Sequence, residues 1–221
     1  MKAKMTRKIS AILLAGCSFL ALPAAQAYEA GDWVIRAGAH LVDPKSNNGK
    51  VAVGDAVLGI DVDDDTMFTF DITYMLTDNW GVELLAAAPF KHDISVGPLE
   101  DVGATKHLPP TLSVVYHFLP DSNFQPYVGV GLNTTVFFDE KLDGATLGDP
   151  GADLSLDTSY GAAAVVGIDF DMGNNWFFNF DVRYLDIDTD AKVKFTDGSK
   201  LDLGTVKIDP WAFGINFGKS F

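Results

Sequence analysis

The residues of this 221-residue chain that could do chemistry are four histidines, two dense runs of aspartate and a handful of isolated charges within apolar stretches. His40, His92, His107 and His117 could act as general bases, but acyl transfer or proteolysis also needs a nucleophile and an orienting acid within contact range. His117 shares a face with Ser113 and Thr111 without an acid on that stretch, and His92 stands beside Asp93 and Ser95. The first set lacks the acid and the second is a weak local coincidence within a loop, so the chain is not expected to be an enzyme. The runs DVDDD (Asp61, Asp63, Asp64, Asp65) and DIDTD (Asp186, Asp188, Asp190) are dense enough for calcium or magnesium, yet lack the EF-hand glycine and closing glutamate. They read as solvated loops, with weak divalent binding as the alternative, and no metal or cofactor is expected. The isolated charges are Arg36, Asp71, Glu83, Asp181 and Arg183, and their meaning depends on the elements that carry them.

Those elements alternate apolar and polar residues with period two, the signature of β-strands. Trp33, Ile35, Ala37, Ala39 and Leu41 oppose Val34, Arg36, Gly38 and His40, and Phe68, Phe70, Ile72, Tyr74 and Leu76 oppose Thr69, Asp71 and Thr73. The pattern recurs about eight times and ends in WAFGINFGKSF. Connections alternate as well: residues 77–80, 119–124 and 171–175 are short, whereas 43–65, 90–107, 139–158 and 186–204 are long and acidic or rich in Gly and Pro. Short turns on one rim and long loops on the other predict an up-and-down barrel.

The N-terminus indicates export. Residues 1–27 carry a basic head (Lys2, Lys4, Arg7, Lys8), an apolar run from Ile9 to Leu22, and a small-residue site at Ala25-Gln26-Ala27. Leu14-Ala15-Gly16-Cys17 also resembles a lipoprotein box, but the apolar run continues past it to the Ala-x-Ala site, which is preferred. Cleavage there leaves residues 28–221 as one domain and removes the only cysteine, which excludes a disulfide, a thiol nucleophile or a structural zinc site. It also removes four basic residues from a chain of net charge −14, and such acidity argues against nucleic acid as a partner.

The faces decide the medium. A soluble barrel hides its bulky apolar face and shows its charged one. Here the apolar face is large and aromatic, while the opposing face is built of Gly, Asn, Ser and Thr with few charges. That suits lipid outside and a small polar interior, which a closed barrel permits because it leaves no unpaired edge. The fold expected is all-β, an eight-stranded antiparallel transmembrane β-barrel with short periplasmic turns and long extracellular loops. Phe221, closing an aromatic-alternating strand, resembles the insertion signal that barrel-assembly machinery recognises.

Several stretches together resemble the outer-membrane protein W (OmpW) family: EAGDWVIRAG, TDNWGVELLAAAPFKH, KHLPPTL, PYVGVGLNTTVFFDE, LDIDTDAKV and KIDPWAFGINFGKSF, in family order over nearly the whole chain after residue 27. The resemblance implies a narrow hydrophobic channel in the outer membrane of a Gram-negative bacterium, passing small apolar solutes that leave sideways through the barrel wall into outer-membrane lipid. Arg183 lies where family members often have an aromatic residue, which puts an apolar constriction at that position in doubt.

Eight strands enclose a space only just filled by side chains. Inward Arg36, Asp71, Glu83, Asp181 and Arg183 are therefore predicted to converge in the periplasmic half as a charged plug that an apolar molecule does not cross cheaply. Pro89 ends one strand at the outer rim, and Pro109 and Pro110 begin the next. Adjacent strand residues aim their N–H groups at opposite neighbours, so two successive prolines remove one donor on each side. The seam lined by Pro89, Pro109, Pro110, Leu85, Ala87 and Leu108 is thus a predicted lateral exit. A plain strand end above the membrane is the competing reading of the prolines. The competing function is a closed structural or surface-interaction barrel whose acidic loops bind a partner.

Overall fold

A computed structural model describes residues 28–53, 56–144 and 148–221. The expected export segment, residues 1–27 with Cys17, lies outside them. The strands are β1 (Trp33–Asp43), β2 (Gly49–Val53), β3 (Ala56–Val62), β4 (Asp65–Met75), β5 (Trp80–Ala87), β6 (Phe90–Val96), β7 (Leu99–Leu108) and β8 (Thr111–His117). They continue as β9 (Phe124–Leu142), β10 (Asp153–Leu156), β11 (Ser159–Gly173), β12 (Trp176–Leu185), β13 (Asp188–Lys194), β14 (Lys200–Lys207) and β15 (Trp211–Ser220).

Eight of these close into an antiparallel barrel in the order β1-β4-β5-β8-β9-β11-β12-β15, with β15 returning to β1. Closure pairs every wall strand on both sides, the condition hydrocarbon imposes on a spanning sheet. The chain's last residue helps close it: Trp33 and Phe221 exchange both backbone hydrogen bonds, at 3.1 and 3.0 Å. The short turns lie where the sequence puts them. Between β11 and β12 only Asn174 and Asn175 turn the chain, both at positive φ, a conformation that a type I′ hairpin needs and Asn tolerates.

The strand faces are inverted relative to a soluble protein. Val130 (69% exposed), Leu132 (74%) and Val166 (61%) point outward, while Arg36 and Asp181 are completely buried. Aromatic pairs ring the end with the short turns: Trp33–Tyr74 and Trp80–Tyr116 with centroids 4.9 Å apart, and Phe124–Phe170 at 5.5 Å. This is the interfacial girdle of a membrane barrel.

The other rim carries the long connections expected, and they are structured. Much of 43–65, 90–107, 139–158 and 186–204 is paired strand, forming a collar above the barrel. β2, β3, β6 and β7 extend the sheet from the upper part of β9, and β10, β13 and β14 form a separate three-stranded sheet. Apolar residues scattered among the acids hold it together: Val51, Ile60, Phe137, Ala191, Val206 and Ile208 form one buried cluster with Ile187 and Leu185. Each run is short and broken by Asp or Gly, so its partner lies on another hairpin and is not visible locally.

Candidate functional site

The lower lumen is filled by charge. The Arg36 guanidinium donates to Asp169 through Nε (3.2 Å) and Nη2 (2.7 Å), and through Nη1 to Asp71 (3.0 Å) and Thr73 (3.2 Å). Arg183 donates through Nη1 to Glu83 (2.6 Å) and through Nε to Asp181 (2.8 Å). Glu83 joins the two groups, with one oxygen 3.7 Å from Arg36. The strands place these atoms together because Arg36 stands opposite Asp71 in register, Gly167 stands opposite Asp181, and Asp169 is one inward step below Gly167.

Neutral groups complete the network. Tyr28 and Asn179 both donate to Asp169, at 2.9 and 2.7 Å, and Asn216 bridges Asn179 and Asp181. His40 lies above, 2.9 Å from Asp181 and 2.6 Å from the Thr69 hydroxyl. The network fits because Gly214 faces it. A Cβ there would come within 2.3 Å of His40 Nε2 and 2.6 Å of an Asp181 oxygen.

All five charged residues expected in the lumen thus meet in one buried cluster. Asp169 and His40 belong to it too. An acid on an inward face is the signal that singled out Asp71, and it also marks Asp169, although Asp171 follows on the same face of β11.

The collar encloses something chemically opposite. A cavity of about 70 Å³ is lined by Val51, Ile60, Ile94, Val96, Phe137 and Leu156, among other apolar residues, with His92 at its wall. Between cavity and plug lies a smaller void of about 10 Å³, bounded by Arg183, His40, Leu85, Ala87, Phe90 and Pro109.

The wall beside that void is interrupted. The β5–β8 ladder stops at Leu85–Thr111, and pairing resumes only within the collar at Phe90–His107. Residues 86–89 hold to β4 through Ala87–Thr69 and the Ala88 N–H, while Leu108 holds to β9. Across the gap itself there is no strand pairing. The proline carbonyls are satisfied from elsewhere: Pro109 accepts from the Thr111 hydroxyl (3.0 Å) and the Asn133 amide (3.1 Å), and Pro110 from the Thr134 N–H (3.0 Å). Protein donors at these carbonyls remove the main cost that a broken ladder carries wherever water is excluded. Of the six seam residues, Leu85 and Pro109 are buried, Pro89, Ala87 and Leu108 half-buried and Pro110 exposed.

The histidines are placed differently from a catalytic set. His92 lies on β6, not in a loop, and Asp93 points to the opposite face, where it pairs with Lys91 at 2.9 Å. His92 stacks on His107 with centroids 4.8 Å apart and Nε2 atoms 2.8 Å apart. His117 stacks on Tyr127 and has no hydrogen-bond partner at either ring nitrogen among the described residues. No three His, Cys, Asp or Glu side chains converge as a metal site among the described residues, the aspartate runs included.

Residues 29–221 match the sequence pattern described as the OmpW family. The chain belongs to the OmpW family. It is 42% identical to outer membrane protein W of Vibrio cholerae over 201 residues, covering 88% of this chain and 91% of that protein. It is 32% identical over 201 residues to the outer membrane protein AlkL of Ectopseudomonas oleovorans, covering 88% and 83%. Its fold is similar to the crystal structure of the outer membrane protein OprG from Pseudomonas aeruginosa, with a TM-score of 0.78, 37% identity, and 89% of this chain and 99% of that one covered. As an OmpW-family barrel, the protein resides in the outer membrane, and the relatives it matches are outer-membrane barrel proteins.

Proposed function

We propose that the protein takes up small apolar molecules, which enter the collar cavity and leave sideways through the Pro89/Pro109/Pro110 seam into outer-membrane lipid. The observation that carries this reading is the order of media along the lumen: an apolar cavity, an interrupted wall, then a sealed ionic plug.

Magnitudes favour the side route. Breaking one buried ion pair costs about 3–5 kcal/mol, and a path down the lumen crosses several. An apolar solute gains about 0.8 kcal/mol for each methylene it removes from water, and at the seam it meets Leu85, Ala87 and Phe90 with Arg183 at one edge, and breaks no ion pair to pass. The plug thus acts as a floor that leaves the seam as the cheaper way out. Outer-membrane lipid receives the solute, and Phe221 serves the assembly machinery as the insertion mark.

The competing reading, a closed surface-interaction barrel, draws on the same plug and on the acidic collar. Replacing Pro109 and Pro110 together with alanine separates the two. With the barrel intact by its resistance to unfolding in detergent, uptake of octane by proteoliposomes falls if the restored N–H groups knit the seam. Uptake that is absent in both proteins supports the closed barrel.

A further inference from the structure

Arg183 is held by two carboxylates and still has a donor to spare. Its Nε and Nη1 are taken by Asp181 and Glu83, while Nη2 is buried with no hydrogen-bond partner among the described residues. Buried polar groups are almost always paired, and a charged donor left unmade is costly, so an exception calls for a cause. Arg183 lines the small void together with Leu85, Ala87, Phe90, Pro109 and Leu185. His40 and Thr69 line it too, but they are bonded to each other and His40 to Asp181, which leaves Arg183 Nη2 as the open donor beside these apolar side chains, at the foot of the collar cavity and beside the seam.

We propose that Arg183 Nη2 recognises solutes that are apolar but carry one neutral hydrogen-bond acceptor, such as the oxygen of a ketone, ester or ether. The oxygen takes the Nη2 donor, and the hydrocarbon remainder lies on Leu85, Ala87, Phe90 and Pro109. This rests on the uptake route proposed above and names the class of solute it admits.

Size and charge define the class. The void, at about 10 Å³, is close to the smallest space that holds one oxygen-sized group. A pure hydrocarbon passing it leaves Nη2 bare. A carboxylate would supply an acceptor, but the plug already buries four carboxylates, Asp71, Glu83, Asp169 and Asp181, against two guanidiniums. Two of the four are on Arg183 itself. A fifth anion meets surplus negative charge, whereas a carbonyl oxygen adds an acceptor and no charge.

The test uses the full barrel in lipid nanodiscs with ¹⁵N-labelled arginine and three probes of matched length: octane, 2-octanone and octanoate. The Arg183 Nη signals, assigned by their contact with Glu83, are expected to move with 2-octanone and to stay put with octane and octanoate. Equal shifts with all three probes, or none with 2-octanone, overturn the proposal. Proteoliposome uptake is measured in parallel. If the signal moves with the ketone while neither octane nor 2-octanone crosses, the uptake reading fails and the acceptor site stands. If both cross and the signal does not respond to the ketone, uptake stands and the acceptor site fails.

Discussion

Arg36 on β1 and Asp169 on β11 are 133 residues apart in sequence and meet across the lumen in a two-pronged ion pair of 3.2 and 2.7 Å. Both side chains are fully buried, so solvent cannot replace either partner. Removing one end leaves a guanidinium with too few acceptors, along with Tyr28 and Asn179, which lose the oxygens they donate to. Asp169→Ala is expected to lower stability by about 3–5 kcal/mol, the usual result of breaking a buried pair from one side. Urea unfolding in micelles, followed by tryptophan fluorescence, reads this directly. A wild-type midpoint would mean that the lumen is wet enough to solvate Arg36.

The inverted surface makes a paired prediction. Val130 and Val57 are almost equally exposed, at 69% and 68%, but Val130 lies on the barrel wall and Val57 on the collar strand β3. Arginine at a mid-membrane lipid-facing site costs about 2–4 kcal/mol, whereas a site in water hardly changes. Val130→Arg is thus expected to destabilise the barrel in lipid and Val57→Arg to leave it unchanged. Equal effects in a liposome unfolding titration would contradict the assignment of the wall to lipid.

The stacked histidines make the collar sensitive to acid. Burial, and secondarily the neighbouring His92, pushes His107 down to about 3, and burial also lowers His92 against the opposing pull of the Asp63 carbonyl and nearby Asp65 and Asp64. The folded values lie below the ordinary histidine value of about 6.5, so the opened hairpin binds more protons than the folded one. The stability this pair contributes is complete above the ordinary value and is lost as pH falls from there toward the folded value. Hydrogen exchange of residues 90–108, corrected for the intrinsic rate, should show less protection at about pH 5 than at about pH 7.5. A double His92→Phe/His107→Phe variant should lose that difference. Protection independent of pH in the wild type would count against the buried pair.

How far the sequence reveals this molecule depends on the range of the interactions. The wall strands and their facing are local: alternation in Trp33–Leu41 or Phe68–Leu76 is enough to sort residues between lipid and lumen, and the structure keeps that sorting. Pro109 and Pro110 likewise mark a ladder break by their own chemistry. The Asn133 amide that caps the Pro109 carbonyl belongs to the next strand, and only the β8–β9 register brings it there. Asp169 and His40 join the plug in a way no single strand reveals, for the same reason: the pairing of inward residues depends on barrel stagger and not on spacing along one strand. The collar was the least visible element. Val51 and Ile60, or Ile94 and Val96, look like loop residues until hairpins from distant parts of the chain stack them into one core.

The central claim, that an apolar solute leaves through the wall beside Pro89, Pro109 and Pro110, is tested most directly by tracing the solute's path. A small spin-labelled alkane added to the ¹⁵N-labelled barrel in nanodiscs broadens the amide signals it passes. The predicted result is broadening at collar-cavity residues such as Ile94 and Phe137 and at residues 86–88 and 108 of the seam, with the buried plug amides of Asp169 and Asn179 left sharp. Broadening that runs through Asp169 and Asn179 toward the turn at Asn174, with the seam residues unaffected, would contradict the account.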